Sequence, residues 1–252
     1  MPSSTVPSTK TLPLLSSDSI DTSVYTWSTF FKALSGQLSP AERNQYLAAR
    51  DLAREESDVK RCEAHRDWLL QNSPTVTFLR QQIAQTGPTI EREQIRCKRC
   101  TTSQTGGFDS NYGILLCANH LPSRKLVEDT LAHELIHAYD HNRFTPSPTN
   151  LRHQACTEIR ASLLSGECRF GREVLGRGQW KFTKQMQECV RRRAVLSLMN
   201  RPQIAESIKL KEGEEVGSTI WETERRKKAE SIVDGVWESC ASDTRPFDEV
   251  YR

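Results

Sequence analysis

The chain has 252 residues, of which 36% are hydrophobic, enough for one compact domain but short for two full-sized ones. Lysine and arginine total 35 against 32 acidic residues, so the net charge of +3 argues against bulk binding of nucleic acid, and we predict no nucleic-acid partner. The longest weakly charged stretch, residues 106–122, falls short of the roughly 18 apolar residues of a spanning helix, so we expect no membrane crossing.

Residues 1–38 are predicted to form a disordered or loosely docked N-terminal tail. The first 22 residues are rich in Ser, Thr and Pro, and such polar sequence buries too little surface to offset its ordering entropy. They contain neither the apolar run of a secretory signal nor the Arg-rich face of a transit helix. Four aromatic residues follow, and they are available to dock on the protein or on a partner, although a loosely packed arm is the simpler expectation: Tyr25, Trp27, Phe30 and Phe31.

Residues 39–252 are predicted to form a single domain that begins with two helices. Ser39-Pro40-Ala41-Glu42 is a capping box with proline at the first helical position, which predicts a long polar helix to about Leu70. Ser73-Pro74 starts the second helix. It should end near Gly87, which can adopt a left-handed cap before a proline that cannot continue the helix.

The middle and the end of the chain predict a small sheet followed by helices. Short extended segments lie between residues 89 and 116, and Gly113–Cys117 has the clearest strand pattern. A helix with a broad apolar face should begin after Ser123, and further helices are expected at about 151–164, 180–199 and 219–239. A charged surface insertion is predicted near 208–218. The predicted fold is therefore α+β and mainly helical.

The sequence His133-Glu134-Leu135-Ile136-His137 lies in the helix that follows the predicted sheet. Positions i and i+4 share one face of a helix, so both imidazoles can bind one zinc ion, as in zincin metalloproteases. Glu134 directly follows the first histidine and is placed to take a proton from the attacking water. We therefore predict a zincin-like domain with one catalytic Zn²⁺, His133 and His137 as ligands, and Glu134 as the general base.

Two histidines leave a catalytic zinc one protein ligand short. We predict that Glu158 completes the set, because it lies on the next helix, as in two-His-one-Glu sites. Asp140 and His141 are alternatives, but three ligands on one straight helix would span about 10 Å. His153 is a further alternative, and Asp140 could instead accept a hydrogen bond from a ligand imidazole.

Peptide hydrolysis also needs a donor for the developing oxyanion and a surface that holds the substrate extended. Tyr139, His153 and Arg160 are the nearby candidates for the donor. The strand Gly113–Cys117 is the candidate edge for pairing with an extended peptide, because it directly precedes the motif helix. These expectations favour peptide hydrolysis over other zinc chemistry.

The eight cysteines allow two interpretations. Cys97, Cys100, Cys117 and His120 have the spacing of a structural zinc knuckle. In the alternative, the cysteines form disulfides, and the sequence does not determine their pairing.

Two basic runs, Arg191–Arg193 and Arg225–Lys228, could meet anionic lipid or an acidic partner. We expect them to be solvated helix faces instead.

Six segments carry a family resemblance: Gly106–Asp109, Gly113–Cys117, Leu126–Asp140, Cys156–Ala161, Cys189–Ala194 and Val236–Phe247. Together they resemble the fungal-type mitochondrial inner-membrane metalloproteases that process ATP synthase subunit 6. The resemblance covers about residues 58–252. It implies the same roles for His133, Glu134 and His137, and the family's oxidative folding favours disulfides over the zinc knuckle.

The same resemblance implies where the protein acts and on what. Family members associate peripherally with the mitochondrial inner membrane on its intermembrane-space side. They remove the N-terminal propeptide of the ATP synthase subunit 6 precursor and assist the assembly of subunit 6 into the membrane sector. The alternative is a purely non-proteolytic assembly chaperone for that sector. A role in DNA repair, to which some animal relatives have been linked, is disfavoured by the small net charge.

Overall fold

The computed structural model describes residues 20–168, 182–208 and 215–248. The described part of the predicted tail contains a short 3-10 helix, Thr22–Val24, and helix α1, Trp27–Leu34, whose N-cap is Thr26. No side chain of α1 is buried. Residues 1–19 of the predicted tail, and residues 209–214 of the predicted insertion, lie outside the described residues.

The region after the tail contains three helices rather than the two that the sequence predicts. Helix α2, Pro40–Ala53, begins with the predicted capping box, and helix α3, Glu55–Asn72, starts two residues after α2 ends. The prediction of one helix to Leu70 is therefore wrong. The first turn of α3 contains three carboxylates, which favour a new helix N-terminus at this point: Glu55, Glu56 and Asp58.

Helix α4, Pro74–Thr86, begins at the predicted Ser73 cap. It ends before Gly87, as predicted, but the left-handed conformation predicted for this glycine is wrong. Gly87 has φ 166° and is therefore extended.

Three short strands form one mixed sheet, composed of β1, Ile95–Lys98, β2, Gly106–Asp109, and β3, Gly113–Cys117. Strand β3 lies in the centre, parallel to β1 and antiparallel to β2. The prediction that Gly113–Cys117 is an exposed edge is therefore wrong, because its apolar run is buried between two strands. The edge nearest the motif helix belongs to β2.

Gly113 opens β3 with φ +84°, in the left-handed region. A Cβ atom there would lie 2.3 Å from the carbonyl oxygen of Gln94, so this position requires glycine.

Helix α5, Arg124–Phe144, carries the motif and packs against the sheet and helices α3 and α4. Helix α6, Leu151–Leu164, packs across it. The remaining helices lie on the other side of α6 and are α7, Phe182–Met199, α8, Pro202–Ser207, α9, Thr219–Asp234, and α10, Trp237–Ala241. The predicted helix 219–239 is thus two helices. The α+β, mainly helical fold with a small sheet before the motif helix is confirmed.

Four disulfides include all eight cysteines: Cys62–Cys97, Cys100–Cys117, Cys156–Cys240 and Cys168–Cys189. The disulfides that the family resemblance favours are confirmed, and the alternative of a zinc knuckle is wrong, because its three cysteines belong to two of these disulfides. Its fourth member, His120, has Nε2 2.8 Å from the carbonyl oxygen of Thr102. Within the described ranges, every helix is too short or too polar to span a bilayer.

The two basic runs are not simply solvated faces. The Arg191 guanidinium lies 3.8 Å from the ring centre of Trp237, and that of Arg225 lies 4.3 Å from the ring centre of Trp221. Arg193 forms an ion pair with Glu167. The predicted solvated face fits Arg226–Lys228, whose side chains are exposed.

Candidate metal centre

Helices α5 and α6 cross so that two imidazoles and one carboxylate meet. The Nε2 atoms of His133 and His137 are 3.1 Å apart. One oxygen of Glu158 lies 3.6 Å from Nε2 of His133, and the other lies 3.8 Å from Nε2 of His137. The candidate ligand atoms of these three residues all lie within 4.8 Å of one another. The structure therefore brings together the three predicted ligands.

The opposite edge of each imidazole is held by an oxygen atom. Nδ1 of His133 is 3.1 Å from Oε1 of Glu167, and Nδ1 of His137 is 2.9 Å from Oγ1 of Thr157. With Nδ1–H donating to these oxygens, each Nε2 keeps a free lone pair directed at the cluster. Metal-binding histidines are oriented in this way, and two such nitrogens with one carboxylate are a donor set that suits zinc.

The charges of the cluster also favour a cation. Burial raises the pKa of Glu134 to about 7, His133 opposes this rise, and the neighbouring carboxylates of Glu158 and Glu167 add to it. Burial would also raise the pKa of Glu158, but the two histidines hold it well below its usual range. Several buried carboxylates around two imidazoles require positive charge, which a divalent metal ion would supply.

The two imidazoles differ in pKa, although burial acts on both in the same direction. Burial lowers the pKa of His137 to about 4, which keeps this ring in the neutral form that binds metals. Burial would lower the pKa of His133 as well, but Glu167 and Glu158 raise it well above its usual value. The difference follows from the carboxylate of Glu167, which contacts only the first imidazole.

A buried network lies behind His137. The Thr157 hydroxyl donates to Oδ2 of Asp140 at 3.0 Å, and Arg160 forms an ion pair with Asp140 at 2.9 Å. The Arg160 guanidinium also donates to the backbone oxygens of Asp243 and Arg245 near the C-terminus. Asp140 thus lies behind the cluster and reaches the imidazole through Thr157, so the structure does not place it among the converging ligand atoms.

The other alternative ligands are also occupied elsewhere. The ring of His141 packs against Phe108, with ring centres 5.9 Å apart. Nδ1 of His153 accepts a hydrogen bond from the backbone N–H of Ser147 at 3.2 Å. Neither residue belongs to the group of converging ligand atoms found in the described residues.

The sequence did not single out Glu167, which holds His133. It lies three residues beyond the end of α6, next to the disulfide Cys168–Cys189. Burial would raise its pKa, but His133 and Arg193 hold it below its usual range, so it remains ionised. No spacing rule relates this glutamate to the motif. Its position beside a cysteine is the only sequence signal that could have drawn attention to it.

Glu134 lies against the edge strand β2. The backbone N–H of Phe108 hydrogen-bonds to its carboxylate. A Cβ atom on Gly106 would lie 3.2 Å from Oε1 of Glu134 and 2.7 Å from Cγ2 of Thr130. The glycine therefore allows the strand to approach the carboxylate closely.

A cleft of about 1200 Å³ opens over the cluster. Residues 103–110, which include β2, line the cleft, and three arginines from later in the chain are also among its lining residues: Arg193, Arg201 and Arg225. Among them, Arg201 lies 3.4 Å from Glu158.

None of the three candidate oxyanion donors, Tyr139, His153 and Arg160, is among the residues described as lining the cleft. Arg160 is fully engaged behind Asp140, and Arg143 donates to the hydroxyl of Tyr139. Tyr139 and Arg160 are buried and His153 is exposed outside the cleft, whereas the arginines that line the cleft come from later in the chain.

Comparisons with known proteins agree with this geometry. Residues 60–248 match the Peptidase M76 family. The chain is 50% identical over 227 residues to the mitochondrial inner membrane protease atp23 of Neosartorya fischeri, covering 90% of this chain and 88% of that protein. It is 41% identical over 255 residues to the protein of the same name from Neurospora crassa, covering 92% of this chain and 80% of that protein. No solved structure matches the chain. This chain belongs to the Peptidase M76 family.

Proposed function

We propose that the protein is a zinc-dependent endopeptidase with His133, His137 and Glu158 as metal ligands. The convergence of their donor atoms within 4.8 Å, in a cleft bordered by an edge strand, is the observation that carries this proposal. Membership of a peptidase family supports it independently. The choice of zinc rests on the nitrogen and carboxylate donors, since this set is common in catalytic zinc sites.

When bound, zinc would polarise the scissile carbonyl and lower the pKa of the attacking water. Glu134 accepts the proton from that water and passes it to the leaving amine. Thr157 and Glu167 hold the two imidazoles in their binding orientation. The substrate backbone pairs with β2 and passes over Glu134.

Substitution of the general base tests this mechanism directly. Glu134→Gln should abolish hydrolysis of a peptide substrate while zinc per chain, measured by elemental analysis, stays at one. His137→Ala should lose the metal. Cleavage that persists in Glu134→Gln would contradict the assigned base, and zinc that persists in His137→Ala would contradict the assigned ligand set.

We further propose that the enzyme acts at the mitochondrial inner membrane, on its intermembrane-space side. Relatives that are about half identical are named mitochondrial inner membrane proteases. The four disulfides fit a compartment that permits oxidation. Fractionation of mitochondria, combined with a protease-protection assay, tests this location. A protein found only in the matrix would contradict it.

The proposed substrate is the ATP synthase subunit 6 precursor, whose N-terminal propeptide the enzyme removes. The family resemblance supports this choice, together with a role in assembling subunit 6 into the membrane sector. Cells that lack the protein should accumulate the unprocessed precursor. If Glu134→Gln restores ATP synthase assembly there without restoring processing, the non-proteolytic chaperone activity is a separate function. If assembly fails whenever processing fails, proteolysis alone explains it.

A further inference from the structure

Exposed apolar side chains concentrate in one short segment of the described chain. Tyr25, Trp27, Phe31 and Leu34 have exposed fractions of 36%, 77%, 62% and 69%. The other exposed large apolar residues are spread between positions 68 and 220. Scattered apolar groups need no explanation, but a contiguous exposed group marks an interaction surface. This segment lies before residue 60, where the match to the peptidase family begins.

The three most exposed of these side chains form one stripe along α1. Trp27, Phe31 and Leu34 occupy positions i, i+4 and i+7, which share a face of an α-helix. The rings of Trp27 and Phe31 are in contact, with centres 6.4 Å apart. Phe30 and Ala33 are half-buried and face a groove between α1 and α2. Trp27 and Leu34 also border this groove, so helix α1 faces α2 through Phe30 and Ala33 and presents an adjoining apolar ridge, Trp27, Phe31 and Leu34, to solvent.

Positive charge lies beside the apolar ridge. Three arginines line the groove between α1 and α2, and no carboxylate lines it: Arg43, Arg50 and Arg54. Arg50 is paired with Asp51 at 2.6 Å. Within the described residues, the side chains of Arg43 and Arg54 have no ion-pair partner and are exposed. Two unpaired guanidinium groups next to exposed aromatic rings match the chemistry of an anionic lipid surface.

We propose that α1 attaches the protein to a membrane surface. The apolar ridge inserts among the headgroups of an anionic bilayer, and Arg43 and Arg54 bind lipid phosphates beside it. Tryptophan and phenylalanine favour the membrane interface, and binding of a short amphipathic helix increases with its apolar area and with attraction to anionic lipid. This inference rests on the proposed function, which locates the enzyme at the inner membrane.

A second copy of the chain fits this surface less well than a bilayer does. Aromatic side chains bury roughly 150–250 Å² each, so the three residues of the apolar ridge fall short of the roughly 800 Å² per partner in a stable protein interface. A symmetric pairing through the ridge would also bring Arg43 and Arg54 close to the same residues of the copy. An anionic bilayer instead supplies the complementary charge, and shallow insertion suffices for reversible attachment.

Cosedimentation with vesicles tests the apolar ridge. The full-length protein should bind vesicles of an equal mixture of phosphatidylcholine and phosphatidylglycerol. Trp27→Ser combined with Phe31→Ser should lower the partition coefficient about tenfold or more, because both inserting rings are lost. The matched control, Val216→Ser with Ile220→Ser, removes apolar groups that are 66% and 56% exposed and should bind like the wild type.

A second pair of variants tests the charges. Arg43→Gln with Arg54→Gln should weaken binding to the mixed vesicles several-fold and reduce its sensitivity to salt. Binding to vesicles of phosphatidylcholine alone should not change. The control, Arg226→Gln with Lys228→Gln, removes exposed charges of α9 and should leave both affinities unchanged. If the control variant loses binding and the Arg43/Arg54 variant keeps it, the membrane surface lies on α9 and the inference is wrong.

Three other results would overturn the inference. The first is equal vesicle binding by the wild type and the Trp27/Phe31 variant. The second is self-association of the wild type in the absence of lipid that the Trp27/Phe31 variant abolishes. In that case the ridge would bind a second copy of the chain. The third is vesicle binding that appears only after removal of residues 2–19. In that case the chain's own tail would cover the ridge in the full-length protein.

Hydrolysis of a soluble peptide separates this inference from the proposed function. The Trp27/Phe31 variant should hydrolyse the peptide at the wild-type rate, which also shows that it is folded. A wild type that binds vesicles but hydrolyses nothing would contradict the proposed function and leave the attachment surface intact. A wild type that hydrolyses the peptide but does not bind vesicles would contradict the attachment surface alone.

Discussion

The two histidines of the candidate metal centre rest on different kinds of support. Behind His137, Thr157 and Asp140 lie on packed helices, and the fully buried Arg160 closes the network. Behind His133, Glu167 lies past the end of α6 and is held by the half-exposed Arg193 and an adjacent disulfide. The first support consists of side chains on packed helices, whereas the second depends on a segment beyond the end of α6 that a buried disulfide holds in place. One short motif can therefore depend on regions of unequal stability.

Removal of Arg160 should have the largest effect, because it leaves the buried Asp140 without its cation. Arg160→Met should lower the free energy of unfolding by about 3–5 kcal/mol, measured by denaturant titration. The matched control is Arg92→Met, which breaks an exposed ion pair between Arg92 and Asp67. The control should cost at most about 1 kcal/mol. Equal losses in the two variants would mean that the network behind His137 is not part of the stable core.

The disulfide beside Glu167 should matter for both stability and metal binding. Cys168→Ser with Cys189→Ser opens a loop of 21 residues, and Cys100→Ser with Cys117→Ser opens one of 17. Each pair should cost about 3 kcal/mol of unfolding free energy, because the loops are similar in length. Only the first pair should also weaken zinc binding in a chelator competition. Equal zinc affinities in the two variants would show that Glu167 stays in place without the disulfide.

Variants of Glu167 and Thr157, which accept hydrogen bonds from His133 and His137, compare the support of the two imidazoles directly. Glu167→Gln and Thr157→Val should each lower zinc affinity by about 10–100-fold, because each loosens one imidazole. Thr157→Val should also lower the unfolding temperature, since it removes one of the buried donors to Asp140 and leaves only Arg160. Glu167→Gln should change the unfolding temperature less. The reverse order of unfolding temperatures would contradict the contrast between support from packed helices and support from the segment beyond α6.

The smallest expected effect concerns the approach of the edge strand. Gly106→Ala places a methyl group against Thr130 and Glu134, so kcat/KM for peptide hydrolysis should fall about tenfold while zinc stays bound. Gly107→Ala is the control, because its added methyl group meets no atom within 4 Å. Similar activity in the two variants would show that the strand can move away from Glu134 without loss.

The sequence predicted the parts of the centre that follow from helical spacing. His133 and His137 are one turn apart on α5, and Glu158 was identified as the carboxylate that the next helix could supply. The structure brings the three together, and their role as ligands stays a prediction. Glu167 and Arg193 escaped prediction because they meet His133 only through tertiary packing and have no fixed spacing to the motif.

The sheet shows why an edge is harder to predict than a centre. Gly113–Cys117 has the strongest apolar pattern because it is buried between two strands, and that same burial excludes it as a docking edge. The true edge, Gly106–Asp109, contains two glycines and has little periodicity. In the same way, helix α3 was missed because its polar sequence continues that of α2 without an obvious breaker at Arg54.

The closure of Arg160 by distant parts of the chain has a consequence for how the centre assembles. Asp243 and Arg245 reach this side chain, and Cys240 is joined across 84 residues to Cys156, two positions before Glu158. The back of the centre is thus built from segments that are far apart in the sequence. We expect the centre to form only when these segments have packed together, so metal binding should accompany the completion of folding rather than the formation of the motif helix.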